Sequence, residues 1–304
     1  MPSMLRKKSK DRYKHFPIYR YGLIGTFFGF ILLFLFQNFP YYVFLPHHSL
    51  AEIKKNDFKE IPQEVKAKHL KTAVKNSYHI PILMYHYVEY PKDIRDTIRL
   101  SLNTYPNIFE KQVKTLKDNG FTFITMKEVA DIIDGKRSLP PKPVVLTFDD
   151  GYRDFYEVAF PILKKHNVKA VVYVVPGLLD RPNYMLKWQV KILGDSPLIE
   201  LGAHTMHHVY LKDARVDIAK KEIIVSKYAL EDLIHKQVVS FAYPYGAFDN
   251  NAIDLVKNAN FRTSVSTIEG ATSSQANRFF IFRLRPGQMT GPVLTTYIGS
   301  PLLQ

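Results

Sequence analysis

Cysteine is missing from all 304 residues of this chain. Its absence excludes disulfides, thiol nucleophiles and cysteine-ligated zinc, and leaves histidines and carboxylates as the ligands for any metal. It does not fix the compartment, because an extracytoplasmic protein can do without disulfides. Repeats and low-complexity tracts are missing too, so one sizeable globular domain with additions is the natural organisation. Acidic residues are in short supply: 28 Asp and Glu stand against 42 Lys and Arg, for a formal net charge of +14. The excess is uneven. Residues 1–20 hold seven basic side chains against Asp11 alone, a net +6, which leaves +8 for the remaining 284 residues. The one dense basic block flanks an apolar segment, so the charge does not call for a nucleic-acid partner.

Charge is absent altogether from Tyr21 to Phe36, and after Gln37-Asn38 a second apolar run reaches Pro46. A membrane-spanning helix needs about 20 apolar residues, and this region supplies them. Basic residues before the span, and few after it, put the amino terminus inside and the bulk of the chain outside. A cleaved signal peptide competes with this reading, but the apolar core is long for one and no small-x-small site follows. The expected organisation is a basic cytoplasmic tail (1–20), a transmembrane signal anchor (21–46), a polar Lys-rich stalk (47–78) and a globular domain (79–304). That makes a single-pass cell-membrane protein with its globular domain extracellular.

From Ile80 onward strands and helices alternate. Candidate strands are Ile80–Tyr85, Phe121–Thr125, Pro143–Phe148, Ala170–Val175, Leu198–Gly202, Val238–Tyr243, Arg262–Ser266 and Ile281–Leu284. Helical periodicity lies between them, as in Phe109, Val113 and Leu116 and in the run from Val216 to Ile234. Asp249 is a candidate N-cap. Such alternation over more than 200 residues argues an α/β fold, barrel-like or open.

Several strand ends carry chemistry. The β-branched run Val144–Phe148 stops at Asp149-Asp150-Gly151, at the carboxyl edge where α/β folds place their sites. An ordinary Asp-Gly turn is the bland alternative. Beyond the Leu198–Gly202 strand, His204 and His208 have a spacing that lets both imidazoles meet one metal. Two His and one carboxylate with open positions is a known hydrolytic or oxidative composition. His207 reads as a surface neighbour. In Ala242-Tyr243-Pro244-Tyr245-Gly246 the turn could present the Tyr245 N–H as an oxyanion donor, with the tyrosine rings as a wall, or be a plain aromatic-capped turn. His86, ending the first strand, is a candidate general acid or a core histidine. Arg283 and Arg285 could pair with a carboxylate; surface charge is the simpler reading.

TFDDGY at 147–152, HTxxH at 204–208 and AYPYG at 242–246, in this order and spacing, resemble the polysaccharide deacetylases of carbohydrate esterase family 4, with their NodB homology domain, over about residues 80–290. The resemblance implies an irregular (β/α) barrel that removes N-acetyl groups from GlcNAc-containing polysaccharides with one divalent metal, zinc first, with cobalt, nickel or iron as alternatives. It makes Asp149 the general base, Asp150, His204 and His208 the metal ligands, and the Tyr245 N–H an oxyanion donor. Ala242 stands where many members have an arginine, and the usual Asp-Trp and Leu-x-His motifs find no match. The LMYHYV segment at 83–88 and the AYPYG loop resemble the poly-β-1,6-N-acetylglucosamine deacetylases, in which a first-strand His takes the acid role, here His86. On that pattern Arg283 supports Asp149 in place of the missing arginine, and Trp188 belongs to the cleft or to the core. Peptidoglycan as substrate, or an inactive glycan-binding relative, are the competing expectations.

Overall fold

The computed structural model describes residues 77–299. Short hydrophobic runs separated by amphipathic segments dictate its order. The strands are β1 (Ser77–His79), β2 (Ile82–Tyr85), β3 (Thr122–Phe123), β4 (Pro143–Phe148), β5 (Ala170–Val174), β6 (Ile199–Ala203), β7 (Ser240–Ala242), β8 (Thr263–Glu269), β9 (Thr272–Ser274) and β10 (Ile281–Arg283). The α-helices are α1 (Thr97–Leu102), α2 (Pro106–Asp118), α3 (Met126–Ile133), α4 (Phe160–His166), α5 (Lys187–Asp195), α6 (Val216–Ile234), α7 (Asn250–Asn258) and α8 (Gly291–Ile298).

Strands β2, β4, β5, β6, β7, β8 and β10 pair in that order, all parallel, and β3 adds to the start of β4. The Met84 N–H donates to the Leu284 carbonyl and the Leu284 N–H to the Ile82 carbonyl, both at 2.8 Å. These bonds bring the last strand back to the first, so the sheet is a nearly closed barrel of α/β type, as expected. The seam is thin, a single parallel bridge between Leu83 and Leu284.

Period-2 alternation decides what each strand contributes. In β4, Val144, Leu146 and Phe148 face outward, where Phe109, Val113 and Leu116 of α2 meet them. Burial of each such side chain stabilises the fold by roughly 1.5–3 kcal/mol. Val145 belongs instead to an inner cluster with Ile82, Val171, Tyr173 and Ile281. Helix α3 closes this cluster at the amino ends of the strands, with Met126, Val129 and Ile132. A capping box of Thr125 and Glu128 starts α3, and its Lys127 N–H donates to the inward carboxylate of Glu200 at 2.8 Å. With one mouth closed, the other is left for a site. Glycine at 202 lets Tyr173 lie inside the barrel, because a Cβ there would come within 2.5 Å of the ring.

The expected boundaries hold closely in the long elements: β4 and α6 run as read, and the Asp249 carboxylate caps α7 by accepting the Ala252 N–H at 2.8 Å. Ser77 and Tyr78, expected at the end of the stalk, are paired in β1 with β9. Among the described residues no helix is long and apolar enough to cross a membrane. The expected tail, anchor and stalk up to residue 76 lie outside the described residues.

Candidate active site

The inward parity of each strand continues one residue past its end, and this assembles the site at the open mouth. In β4 the sequence Val145, Thr147, Asp149 stays on the inner face. Asp150 would then point away, but Asp150 and Gly151 both adopt left-handed φ, 73° and 74°. The chain turns there and brings the second carboxylate beside the first. In β6 the inward series Glu200, Gly202 ends at His204, and in β2 the series Ile82, Met84 ends at His86.

Asp150 Oδ1 lies 3.2 Å from His204 Nε2 and 3.1 Å from His208 Nε2. One ligand atom from each of the three residues falls within 4.8 Å of the others. Donors about 3 Å apart suit one cation whose bonds are about 2 Å long. The far ring nitrogens strengthen the fit. His204 Nδ1 sits 2.7 Å from the Ala242 carbonyl and so must donate, which leaves Nε2 as a lone pair. His208 Nδ1 lies 3.1 Å from the Tyr245 hydroxyl, whose pKa burial raises. Asp150 Oδ1, otherwise without a hydrogen-bond partner, is then a buried oxygen facing the His204 lone pair and the Nε2 of His208. A divalent cation satisfies all three. Without one, burial pulls the pKa of His204 down, but the Asp150 hydrogen bond, the charges of Asp149 and Asp150 and the Ala242 carbonyl together outweigh it and the net shift is upward. Cation binding must displace that proton.

Asp149 has a different partner. Arg283, 1% exposed, runs through the barrel interior and donates from both terminal nitrogens to the two Asp149 oxygens at 2.7 Å. Its Nε donates to the Ser266 carbonyl at 2.7 Å, and Nη1 also reaches Thr147 Oγ1 at 3.1 Å. Burial pushes the Asp149 pKa up, and the Arg283 charge and hydrogen bonds overcome it and hold the carboxyl below its usual range. The surface reading of Arg283 is therefore corrected: it is inward by strand parity with Ile281. His86 Nε2 stands 3.8 Å from Asp149 Oδ2, so a carboxylate does lie beside it. Burial nonetheless lowers the His86 pKa, Arg283 and Arg285 add to that, and Asp149 and Asp150 only partly offset them. His86 is neutral near pH 7.

Two expected site residues are elsewhere. Tyr243 is fully buried on the outer, helix-facing side of the barrel, between Phe241 and Phe248, with its hydroxyl donating to the Phe279 carbonyl at 2.9 Å. It is a core residue and not part of a cleft wall, because its neighbour Ala242 takes the inward position. Trp188 on α5 is half exposed and touches the Tyr156 ring edge-on; it is not in the core, and its ring contact is not with the cation cluster. Tyr245 turns at a left-handed φ of 59° with its ring 4.6 Å from His208. Its hydroxyl thus meets His208 Nδ1, a contact the motif did not reveal. Also unread in the sequence were Tyr87, Tyr152 and Tyr184. Tyr87 stacks on Tyr152 at 4.0 Å and Tyr152 leans on Tyr184 at 5.1 Å. All three feel the Asp150 charge, which helps hold Tyr152 protonated after burial, the main cause. Adjacency to His86 and to the Asp-Asp-Gly turn was the available signal for Tyr87 and Tyr152; Tyr184 carried none.

A family model described as polysaccharide deacetylase matches residues 136–264. The Streptococcus pyogenes deacetylase PplD, solved in complex with acetate, superposes with a TM-score of 0.69 at 30% identity, covering 74% of this chain and 100% of that one. The chain belongs to the polysaccharide deacetylase family. Two further relatives extend the likeness to this deacetylase. The Bacillus subtilis protein YxkH is 28% identical over 254 residues, which cover 82% of this chain and 88% of that protein. A poly-β-1,6-N-acetyl-D-glucosamine N-deacetylase of Staphylococcus aureus is 28% identical over 190 residues, 58% of this chain and 65% of the relative. In this deacetylase the buried arginine of β10, Arg283, pairs with Asp149, and Ala242 stands where the resemblance implied an arginine.

Proposed function

We propose that the deacetylase hydrolyses N-acetyl groups of poly-β-1,6-N-acetylglucosamine with one divalent cation, zinc in the first instance, held by Asp150, His204 and His208. The observation that carries this reading is the pairing of the three converging donors with a separate, Arg283-held carboxylate at Asp149. An inactive glycan binder has no use for that division. Likeness to the S. aureus enzyme and an acid candidate on the first strand favour the β-1,6 polymer over peptidoglycan.

An acetamide is a weak electrophile with a poor leaving group. When bound, the cation polarises the acetyl carbonyl and acidifies the attacking water. Asp149 accepts the proton of that water, and Arg283 fixes both carboxylate oxygens so that the accepting lone pair has one direction. The Tyr245 N–H donates to the oxygen that gains charge. His86, neutral at rest, needs a proton before it can serve as acid. Asp149, 3.8 Å away, can pass on the one it has just taken. His86 then protonates the sugar nitrogen as the C–N bond breaks, giving acetate and a free amine.

The test is acetate release by the purified full-length chain from β-1,6-linked GlcNAc oligomers and, in parallel, from peptidoglycan. Release from the oligomers should vanish on chelation and return with Zn²⁺. Release from peptidoglycan alone would sink the substrate assignment, and chelator-resistant release the cation.

We also propose that residues 21–46 anchor the enzyme in the cell membrane with the barrel outside, on the strength of their charge-free apolar run and the basic block before it. Membranes washed in alkaline carbonate should retain the full-length chain; its quantitative recovery in the wash would refute the anchor.

A further inference from the structure

The segment that carries both histidine ligands has a backbone shape that its own residues disfavour. Thr205 and His208 have left-handed φ values of 58° and 59°, and for a β-branched residue such as threonine that region is a true outlier. Strained residues of this kind persist only where the surroundings over-determine them, and they gather at binding sites. The surroundings here can be named. The His204 N–H donates to the Val174 carbonyl at 3.0 Å, and the Gly177 N–H donates to the Met206 carbonyl at 2.9 Å. The Val209 N–H donates to Thr205 Oγ1 at 3.2 Å, and the Met206 and His207 amides between them are held by one residue of α6.

That residue is Glu222, a buried carboxylate with no part in the proton transfers described above. Its Oε2 accepts the backbone N–H of His207 at 2.9 Å, and its Oε1 lies 2.8 Å from His207 Nδ1. Its own carbonyl accepts the Met206 N–H at 3.1 Å. Two consecutive backbone donors between the two ligands, and one ring, therefore end on a single side chain and its peptide. Gly177 presses from the opposite side. A Cβ there would lie 2.4 Å from the Met206 carbonyl oxygen and 2.9 Å from the His207 ring. The loop is gripped between a glycine that leaves no slack and a carboxylate that takes its donors.

We propose that Glu222 is a positioning residue for the cation: it clamps Met206 and His207 so that His208 Nε2 meets Asp150 Oδ1 and His204 Nε2 across one ion. The inference rests on the reading of Asp150, His204 and His208 as a cation site. The clamp acts through the backbone. The His207 ring is more than half exposed, and its removal leaves the bond from the His207 N–H to Glu222 in place. What the clamp needs is one acceptor oxygen for the His207 N–H, which glutamine also supplies, its NH₂ then facing the ring nitrogen.

The experiment uses the full-length chain and two readouts besides activity. Zn²⁺ affinity is measured by competition with a chelator, and hydrogen exchange of residues 203–209 is measured on the metal-free protein. Glu222→Ala should weaken Zn²⁺ binding by about 10–100-fold, the range seen when groups that orient metal ligands are lost. It should also speed exchange at the His207 amide, whose acceptor is the Glu222 side chain. Glu222→Gln, which keeps an acceptor for the His207 N–H, and His207→Ala should both stay within about threefold of wild type, as a change that spares the backbone bond does. Gly177→Ala, which leaves Glu222 untouched, should weaken binding in the same direction and carries the test if Glu222→Ala does not fold. Wild-type affinity in Glu222→Ala, or unchanged exchange in its loop, overturns the clamp. Equal losses in His207→Ala and Glu222→Ala would move the grip to the ring and overturn it as stated. A wild-type chain that takes up no Zn²⁺ overturns the cation site itself, and the exchange measurement on metal-free protein keeps that failure distinct from failure of the clamp.

Discussion

Replacing Asp149 by asparagine is expected to lower kcat for acetate release by roughly 10²–10⁴-fold, the range of a lost general base, with KM and bound cation little changed. The substitution is nearly isosteric. The amide oxygen can still accept from Arg283, and Asp150, His204 and His208 keep their geometry. What disappears is the negative charge that takes a proton from water. The amide NH₂ also faces one of the Arg283 nitrogens that now donate at 2.7 Å, so a fall in Tm should accompany the loss. Both must be measured, together with zinc content, so that lost chemistry is not confused with lost fold. A purified, folded, zinc-loaded Asp149→Asn protein with wild-type acetate release would end the assignment of this residue as the base.

Arg283→Met should cost more stability and alter the pH profile in a predictable direction. Removing one member of a buried ion pair strands the other, at a cost of about 3–5 kcal/mol. The denaturant midpoint reports this, and Asp149→Asn in the same chain should recover part of it. The kinetic sign follows from Asp149. In the wild type its pKa lies below the ordinary carboxylate value because Arg283 outweighs burial. The carboxylate therefore stays ionised, ready to accept a proton, down to acid pH. Stability from the pair is present above the unfolded carboxyl pKa and is lost as pH falls through the lower folded value. Without Arg283 burial is opposed only by the histidines His86 and His204, and the pKa rises. The acid limb of kcat/KM should then move toward neutral pH, with activity partly regained at alkaline pH. An Arg283→Met enzyme with the wild-type acid limb would show that Arg283 does not tune the base.

Much of the barrel could be read from the chain where hydrophobic runs were long enough to carry a period. Pro143–Phe148 and Val216–Ile234 are such runs. The β1 and β9 strands were not legible, because Ser77–His79 and Thr272–Ser274 are three-residue polar stretches whose pairing is decided by tertiary contact. The candidate site was legible at Asp149, Asp150, His204, His208 and His86, all strand-end residues. Tyr243 went wrong through parity. It directly follows the inward Ala242 and so must face the helices, however suggestive the motif around it. Arg283 by itself looks like surface charge near a chain end; the family resemblance pointed it at Asp149, the partner it has, and parity with the inward Ile281 gives the same direction. Glu222 had no sequence signal, since nothing in a helical run marks which glutamate lies under a loop.

The thin seam at Leu284 has a consequence for how this enzyme comes into being. Arg283 lies 134 residues after the carboxylate that it holds, on the last strand to enter the barrel, beside the bonds that join the final strand to the first. A nascent chain acquires its cation ligands well before that strand is made. Its base has no counter-charge until the ring is shut, a long-range closure of the slow kind. Hydrolytic competence should therefore arrive last, with the stitch that completes the fold, and a chain that has not finished folding should be able to hold its ion without turning over a sugar.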